Sequence, residues 1–363
     1  MMGKKTQTQR IIWLDMLKTI AIYTVIVYHL NKFPYSFHED GIVAYIDYLL
    51  RTILCIGVPL FFTINGALVI SSKKEFNPSQ YILKIIRITI ITFIWGMIVK
   101  AIFLITSGEK ISLPILFMAS LSGDGLNYLW FMKSLLTIYV FLPLIQAAFE
   151  KNPKIPLYFS IVVGFATMGN TLLLRILNTI FFIKNGVIFN EKYSFGKSFN
   201  DFQRFYAYPF VYFILGALLY KNIDKLKKIS KKIYILLIAL CMMLMSFYGI
   251  ICSRTMEYPY NVAGNSYNSF SALIIVIAFF GFFSDIQMEN NFVCKFLSAI
   301  GSNTLGIYFL HIPINYILGK LSLFPIRGNE IYNLIYCLFI MLLALLISCI
   351  IKKIPIINRL LHI

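Results

Sequence analysis

Three ionisable side chains stand inside an apolar run near the start of the chain, the segment WLDMLKTIAIYTVIVYHL at 13–30. They are Asp15, Lys18 and His29. A helix turns 100° per residue, so Lys18 and His29 lie only about 20° apart on its surface, and Asp15 lies about 40° from His29. Asp15 and Lys18 are also neighbours at the i,i+3 spacing. One stripe therefore carries a carboxylate, an ammonium and an imidazole. It must face protein or water, because each charge against lipid costs several kcal/mol. A histidine so placed can take a proton from a hydroxyl or act as a nucleophile. The bland alternative is a snorkelling Asp–Lys couple at one surface and an interfacial histidine at the other.

Other candidates follow along the chain. Asp47 and Arg51 are four residues apart in the second apolar run, at about the depth of His29. They read as an intrahelical ion pair lining a polar cavity. Lys84 and Arg87 are three apart at the entrance of the third run. That pair either anchors a helix end or seats an anionic ligand, since a guanidinium grips phosphate in a fork. Tyr128 and Trp130 could offer ring faces to a ligand, or belong to an interfacial aromatic belt. His311 is a second imidazole in an apolar run, read as a polar packing residue or a substrate contact. His38 and His362 read as loop and tail residues. The four histidines form no H-x-x-x-H pair and the six cysteines no C-x-x-C pair, so no metal site is expected.

The elements that must position these residues are legible from composition. The chain is 59% hydrophobic and 13% charged over 363 residues, about half the charge of a soluble domain. Apolar runs of about twenty residues recur from end to end. The expected fold is all-α: one integral membrane domain over 1–363, a polytopic helical bundle of about ten transmembrane helices. The spans fall near 11–31, 42–70, 81–105, 128–149, 156–178, 204–221, 233–251, 269–284, 299–318 and 331–352. Short Lys-rich connections such as KNIDKLKKISKK alternate with longer, more aromatic ones such as CSRTMEYPYNVAGNSYNS. The positive-inside rule places the first set in the cytoplasm, together with both termini and the basic tails 1–10 and 353–363. The net charge of +18 is accounted for by that bias, and no nucleic-acid-binding motif is present. Neither a Gly-rich nucleotide loop nor an inverted repeat is visible.

Six segments, in order, carry a family resemblance. WLDMLKTIAIYTVIVYHL resembles an opening pattern of L-D-x-L-R followed by an apolar run ending in His, with Lys18 and His29 keeping the spacing. VPLFFTINGALV (58–69) is similar to P-L-F-F-x-x-S-G, with Asn65 in the Ser place. LKIIRI (83–88) matches a basic R-x-x-R pair. LNYLWFMKSLLTIYVFLPLI (126–145), FILGALLY (213–220) and GSNTLGIYFLHIPI (301–314) are similar to three further segments. The pattern is that of the membrane-bound acyltransferase-3 family, stand-alone bacterial O-acyltransferases of cell-surface polysaccharides. Lys18 and Lys84 replace arginines, which keeps the charge and loses the planar fork.

The resemblance implies a multi-pass protein of the bacterial plasma membrane. Its co-substrate would be acetyl-CoA or another acyl-CoA on the cytoplasmic side. Its acceptor would be a carbohydrate or lipid-linked sugar on the outer side. Lys18, Lys84 and Arg87 would meet the donor; His29, Arg51 and Asp15 would serve the chemistry; Asp47, Trp130, Tyr128 and His311 would meet the acceptor. His29 would act as a general base or as a transient acyl carrier. Proteins of polysaccharide synthesis are the expected partners, beside the lipid bilayer. The rival reading from another class is a transporter or flippase of a lipid-linked sugar, using the same polar cavity without bond chemistry.

Overall fold

A computed structural model describes residues 11–30, 41–70, 77–123, 126–188, 207–256, 259–289, 291–321 and 330–361. The basic tail 1–10, His38 and His362 lie outside the described residues. Among those described, every regular element is helical. Eight helical stretches are long and apolar enough to cross a bilayer. They are α1 (Ile12–Leu30), α2–α3 (Gly41–Arg51 and Gly57–Ile70), α4 (Pro78–Ser107), α6 (Trp130–Lys151), α7–α8 (Lys154–Gly164 and Asn170–Asn185), α11 (Lys231–Met256), α13 (Phe292–Lys320) and α14 (Glu330–Lys353). The other two expected spans form α9 (Tyr208–Lys221) and α12 (Phe270–Phe283), 14 residues each. At 1.5 Å per residue each reaches about 21 Å, short of a ~30 Å hydrocarbon core. The remaining helices are short: α5 (Leu113–Ser122) and α10 (Ile223–Lys227).

Helix boundaries follow local chemistry. Asn77 accepts the Gln80 N–H, with Pro78 at the first helical position of α4, and Gly108 closes that helix in the left-handed region at φ 72°. Ser112 and Gly123 bracket α5 in the same way. Ser269 and Asn291 cap α12 and α13 through the N–H groups of Ala272 and Cys294. Two spans are not regular. A 3₁₀ stretch, Thr52–Ile56, separates α2 from α3, and a π-helical turn, Phe165–Gly169, separates α7 from α8.

Helix α1 lies at the centre of the bundle, with Leu17, Ala21, Ile22 and Ile26 wholly buried. It runs parallel to α13: Asp15 meets Ser298 near one end, and His29 meets His311 near the other. The tightest crossing is between α3 and α9. A Cβ on Gly66 would stand 1.7 Å from the Phe213 carbonyl oxygen, and one on Gly216 would stand 1.8 Å from that of Thr63. Small residues let two backbones touch in this way. Gly216→Ala is therefore expected to destabilise the fold by about 3 kcal/mol, at the upper end for overpacking. The check is the Tm of the purified protein in detergent; an unchanged Tm would mean that the crossing yields without cost.

Candidate active site

His29 stands in the last turn of α1 and faces His311 of α13. His311 is wholly buried. Its Nδ1 lies 2.6 Å from the Tyr308 carbonyl oxygen, and its Nε2 lies 3.2 Å from His29 Nδ1. A carbonyl only accepts, so Nδ1 of His311 must carry the hydrogen. In the neutral ring Nε2 then holds a lone pair, and His29 Nδ1–H donates to it. The His29 ring also hydrogen-bonds to the Val25 backbone, and with its hydrogen on Nδ1 the lone pair lies on Nε2. The order is carbonyl, imidazole, imidazole, and it ends at a cavity.

That cavity measures about 780 Å³ and is lined by His29 among amides, phenols and hydroxyls. Asn127, Asn261, Asn265 and Asn268 contribute the amides, and Trp130 and Tyr267 contribute aromatic faces. The segment 259–269 carries three of these asparagines and is fastened from several sides. Tyr48 and Tyr212 hydroxyls donate to the carbonyls of Tyr260 and Tyr267, at 2.8 and 2.9 Å. Arg175 donates to Ser266 Oγ at 2.8 Å and to the Asn265 carbonyl at 3.2 Å. Asn261 Nδ2 donates to the Tyr28 hydroxyl at 2.9 Å, beside His29. A loop so tethered presents its side chains in fixed positions at low entropic cost on binding.

A second cavity, about 290 Å³, lies against the first. Both are lined by Phe131 and Tyr308, whose rings touch. Tyr308 donates its hydroxyl to the Tyr128 carbonyl, which holds the partition in place. The second cavity is lined by Asn65, Tyr139, Ser302, Thr304 and Leu361. Cations gather around it. The Lys84 ammonium lies 4.3 Å from the Tyr139 ring centre, and Lys352 Nζ donates to the Ser302 carbonyl at 2.7 Å.

The sequence-predicted residues separate into four places. His29, Tyr128 and Trp130 line the large cavity, and His311 stands directly behind His29. Asp15 and Lys18 pair at 3.4 Å near the other end of α1, about 21 Å from His29 along the axis. Asp15 is buried there, with Ser298 Oγ at 3.4 Å and Gly301 packed against its carboxylate. Lys84 sits over Tyr139, whereas Arg87, one turn on, is exposed. Asp47 and Arg51 do not line the His29 cavity. They meet Glu330 at the start of α14, whose carboxyl hydrogen-bonds to Asp47. Glu330, the asparagines of 259–269 and Tyr308 were not singled out from sequence; the only cue was the spacing of Asn261, Asn265 and Asn268. Among the described residues no group of three His, Cys, Asp or Glu side chains could hold a metal ion, and none of the six cysteines forms a disulfide.

Comparison with curated proteins and with solved structures gave no match. The acyltransferase-3 family model, described as an acyltransferase domain, matches residues 11–353. That stretch contains His29 and His311, every residue lining the larger cavity and every span from α1 to α14, and the chain belongs to the acyltransferase-3 family of membrane acyltransferases.

Proposed function

We propose that the protein moves an acyl group, acetyl first among candidates, from acyl-CoA to a hydroxyl of a cell-surface or lipid-linked sugar. The observation that carries this reading is the His29–His311 pair, whose first member lines a cavity of amides and aromatic rings. Such a lining suits a polyol: amides exchange hydrogen bonds with hydroxyls, and flat rings cover the apolar face of a sugar. Among the described residues lining it Lys133 is the one lysine or arginine, which supports a largely uncharged sugar.

The reaction runs as follows. His29 Nε2 takes the proton of the acceptor hydroxyl, and the oxygen attacks the acyl carbonyl of the thioester. The C–S bond breaks, and the leaving sulfur takes the proton back from His29. His311 holds the His29 ring in the required tautomer and shares the positive charge of the imidazolium. The donor would approach through the second cavity, its phosphates toward Lys84 and Lys352 and its acyl end toward the Phe131–Tyr308 partition. The positive-inside bias puts that side in the cytoplasm and the asparagine-lined cavity outside. Asp15, buried, and Lys18, half-buried, on the donor side of α1 would hold local charge. The asparagine loop would orient the sugar, and the proteins that make or carry the polysaccharide would be its partners in a bacterial plasma membrane.

The test is NMR of surface glycan purified from cells carrying wild type or His29→Ala at matched membrane levels. The reading requires an O-acyl ester in the first and none in the second; an ester unchanged by the substitution would refute it. Arg175→Ala gives a milder expected result. Loosening the 259–269 loop should raise the acceptor KM about tenfold, the equivalent of one charge-assisted hydrogen bond, with kcat nearly unchanged. Equal acceptor KM values would show that the tether does not serve the sugar.

A further inference from the structure

The segment that follows α14 turns back into the bundle. Ile357–Leu361 forms a short 3₁₀ helix. Its last residue, Leu361, is 3% exposed and lines the second cavity. Among the described residues, every other one lining that cavity belongs to the spans that contain α3, α6 and α13. One wall of the cavity is therefore a strap, and the rest is membrane helix.

The strap is latched at one end and strained at the other. Trp95 of α4 donates its indole N–H to the Leu360 carbonyl at 3.0 Å. The Trp95 ring is buried and stacks on Phe309 at 4.9 Å, next in sequence to Tyr308 of the partition. Gly306 makes room for the latch: Leu361 Cδ1 lies 3.5 Å from where a Cβ would stand. At the other end Ile356 has φ 74°, and the Ile357 N–H donates to the Pro355 carbonyl at 2.9 Å. This is a γ-turn of the rare, strained kind, and a β-branched residue is poorly suited to a positive φ. Pro355, Ile356, Ile357 and Arg359 are exposed, so little burial holds the strap apart from Leu361 itself.

Size supplies a reason for it to move. At about 290 Å³ the second cavity stands at the bottom of the usual range for small-molecule sites, about 300–1,000 Å³. The arm of an acyl thioester needs more room, and the helical walls are packed into the bundle. We propose that residues 355–361 are a lid on the donor cavity. Closed, Leu361 takes up space that the donor needs; opened by rotation at Ile356, the strap admits the donor. Strain at Ile356 opposes the latch, which keeps the two states close in free energy. The proposal rests on the donor reading above and adds a competition between Leu361 and the donor for one space. The apparent donor affinity then follows the open fraction.

The test uses the full-length protein in nanodiscs, labelled with 5-fluorotryptophan, with coenzyme A as the probe. The three tryptophans give three ¹⁹F signals, and Trp95→Phe identifies that of Trp95. Leu361→Ala removes the latch and should displace the Trp95 signal with no ligand present. Coenzyme A should move the wild-type Trp95 signal toward that position and leave those of Trp13 and Trp130 in place. Leu361→Ala should bind coenzyme A about fivefold more tightly than wild type. Ile356→Gly should bind it about fivefold more weakly, because glycine adopts a positive φ without strain and so favours the closed state. Melting curves confirm that both variants fold. Coenzyme A bound with the Trp95 signal unmoved, or bound equally by all three proteins, would make the strap a fixed wall and overturn the lid while the donor reading stands. Failure of every variant to bind coenzyme A would overturn the donor reading and the lid with it.

Discussion

Replacing His29 with alanine is expected to lower kcat for acyl transfer about 10³-fold, within the usual range for loss of a positioned base. The reason is geometric. His29 lines the large cavity, and its Nδ1 lies 3.2 Å from His311 Nε2. No other described histidine lines that cavity. Removing the ring takes away the proton acceptor and leaves the asparagine loop, which is tethered to Tyr48, Tyr212 and Arg175. The acceptor KM should therefore change little. A variant with raised KM and normal kcat would instead make His29 a binding residue.

The second large effect is expected at His311. His311→Leu should lower kcat about 10²-fold at nearly constant KM for donor and acceptor. Without His311 the His29 ring keeps only its backbone hydrogen bond to Val25 and is freer to rotate or to place its hydrogen on Nε2, and either event removes the proton acceptor from the required position. Selecting one tautomer through a second group is a recognised lever in histidine catalysis. His311→Gln should recover at least about tenfold of the loss, because its amide oxygen can take the place of the imidazole acceptor. A packing defect alone would predict the opposite: glutamine in a wholly buried site should harm folding more than leucine. The order of the two variants in kcat, together with the ¹⁵N shifts of the His29 ring, separates the cases.

The sequence made the first helix legible in one dimension and not in the other. The 100° turn correctly grouped Asp15, Lys18 and His29 on one stripe of α1. The axial rise sends them to different ends, so Asp15 pairs with Lys18 and Ser298 while His29 pairs with His311. The imidazole pair joins residues 282 positions apart, and nothing local announces it. Family-like motifs gave both members separately, one closing VIVYHL and one inside GIYFLHIPI, without stating that they meet. Arg51 shows the reverse case. Its helical spacing to Asp47 was readable, but the third member, Glu330, lies on the last span. Bilayer-length apolar runs revealed eight spans directly, since hydropathy over about twenty residues is a strong signal. The ten-residue α5 was missed because a capped helix of that length resembles a loop in any such window. The π-helical turn in the fifth span and the 3₁₀ break in the second keep apolar composition throughout, so their backbone change leaves no mark in hydropathy.

The most direct test of the central claim is a stoichiometry. Purified protein in nanodiscs would be given acetyl-CoA labelled in the acetyl group, with glycolipid extracted from producing cells as the acceptor. Thiol release and labelled ester would be counted together. One ester per thiol in wild type, and neither in His29→Ala, is the result predicted by base catalysis at the His29–His311 pair. Ester formed at the wild-type rate by His29→Ala, or sugar lipid moved across a bilayer with no thiol released by wild type, would contradict it.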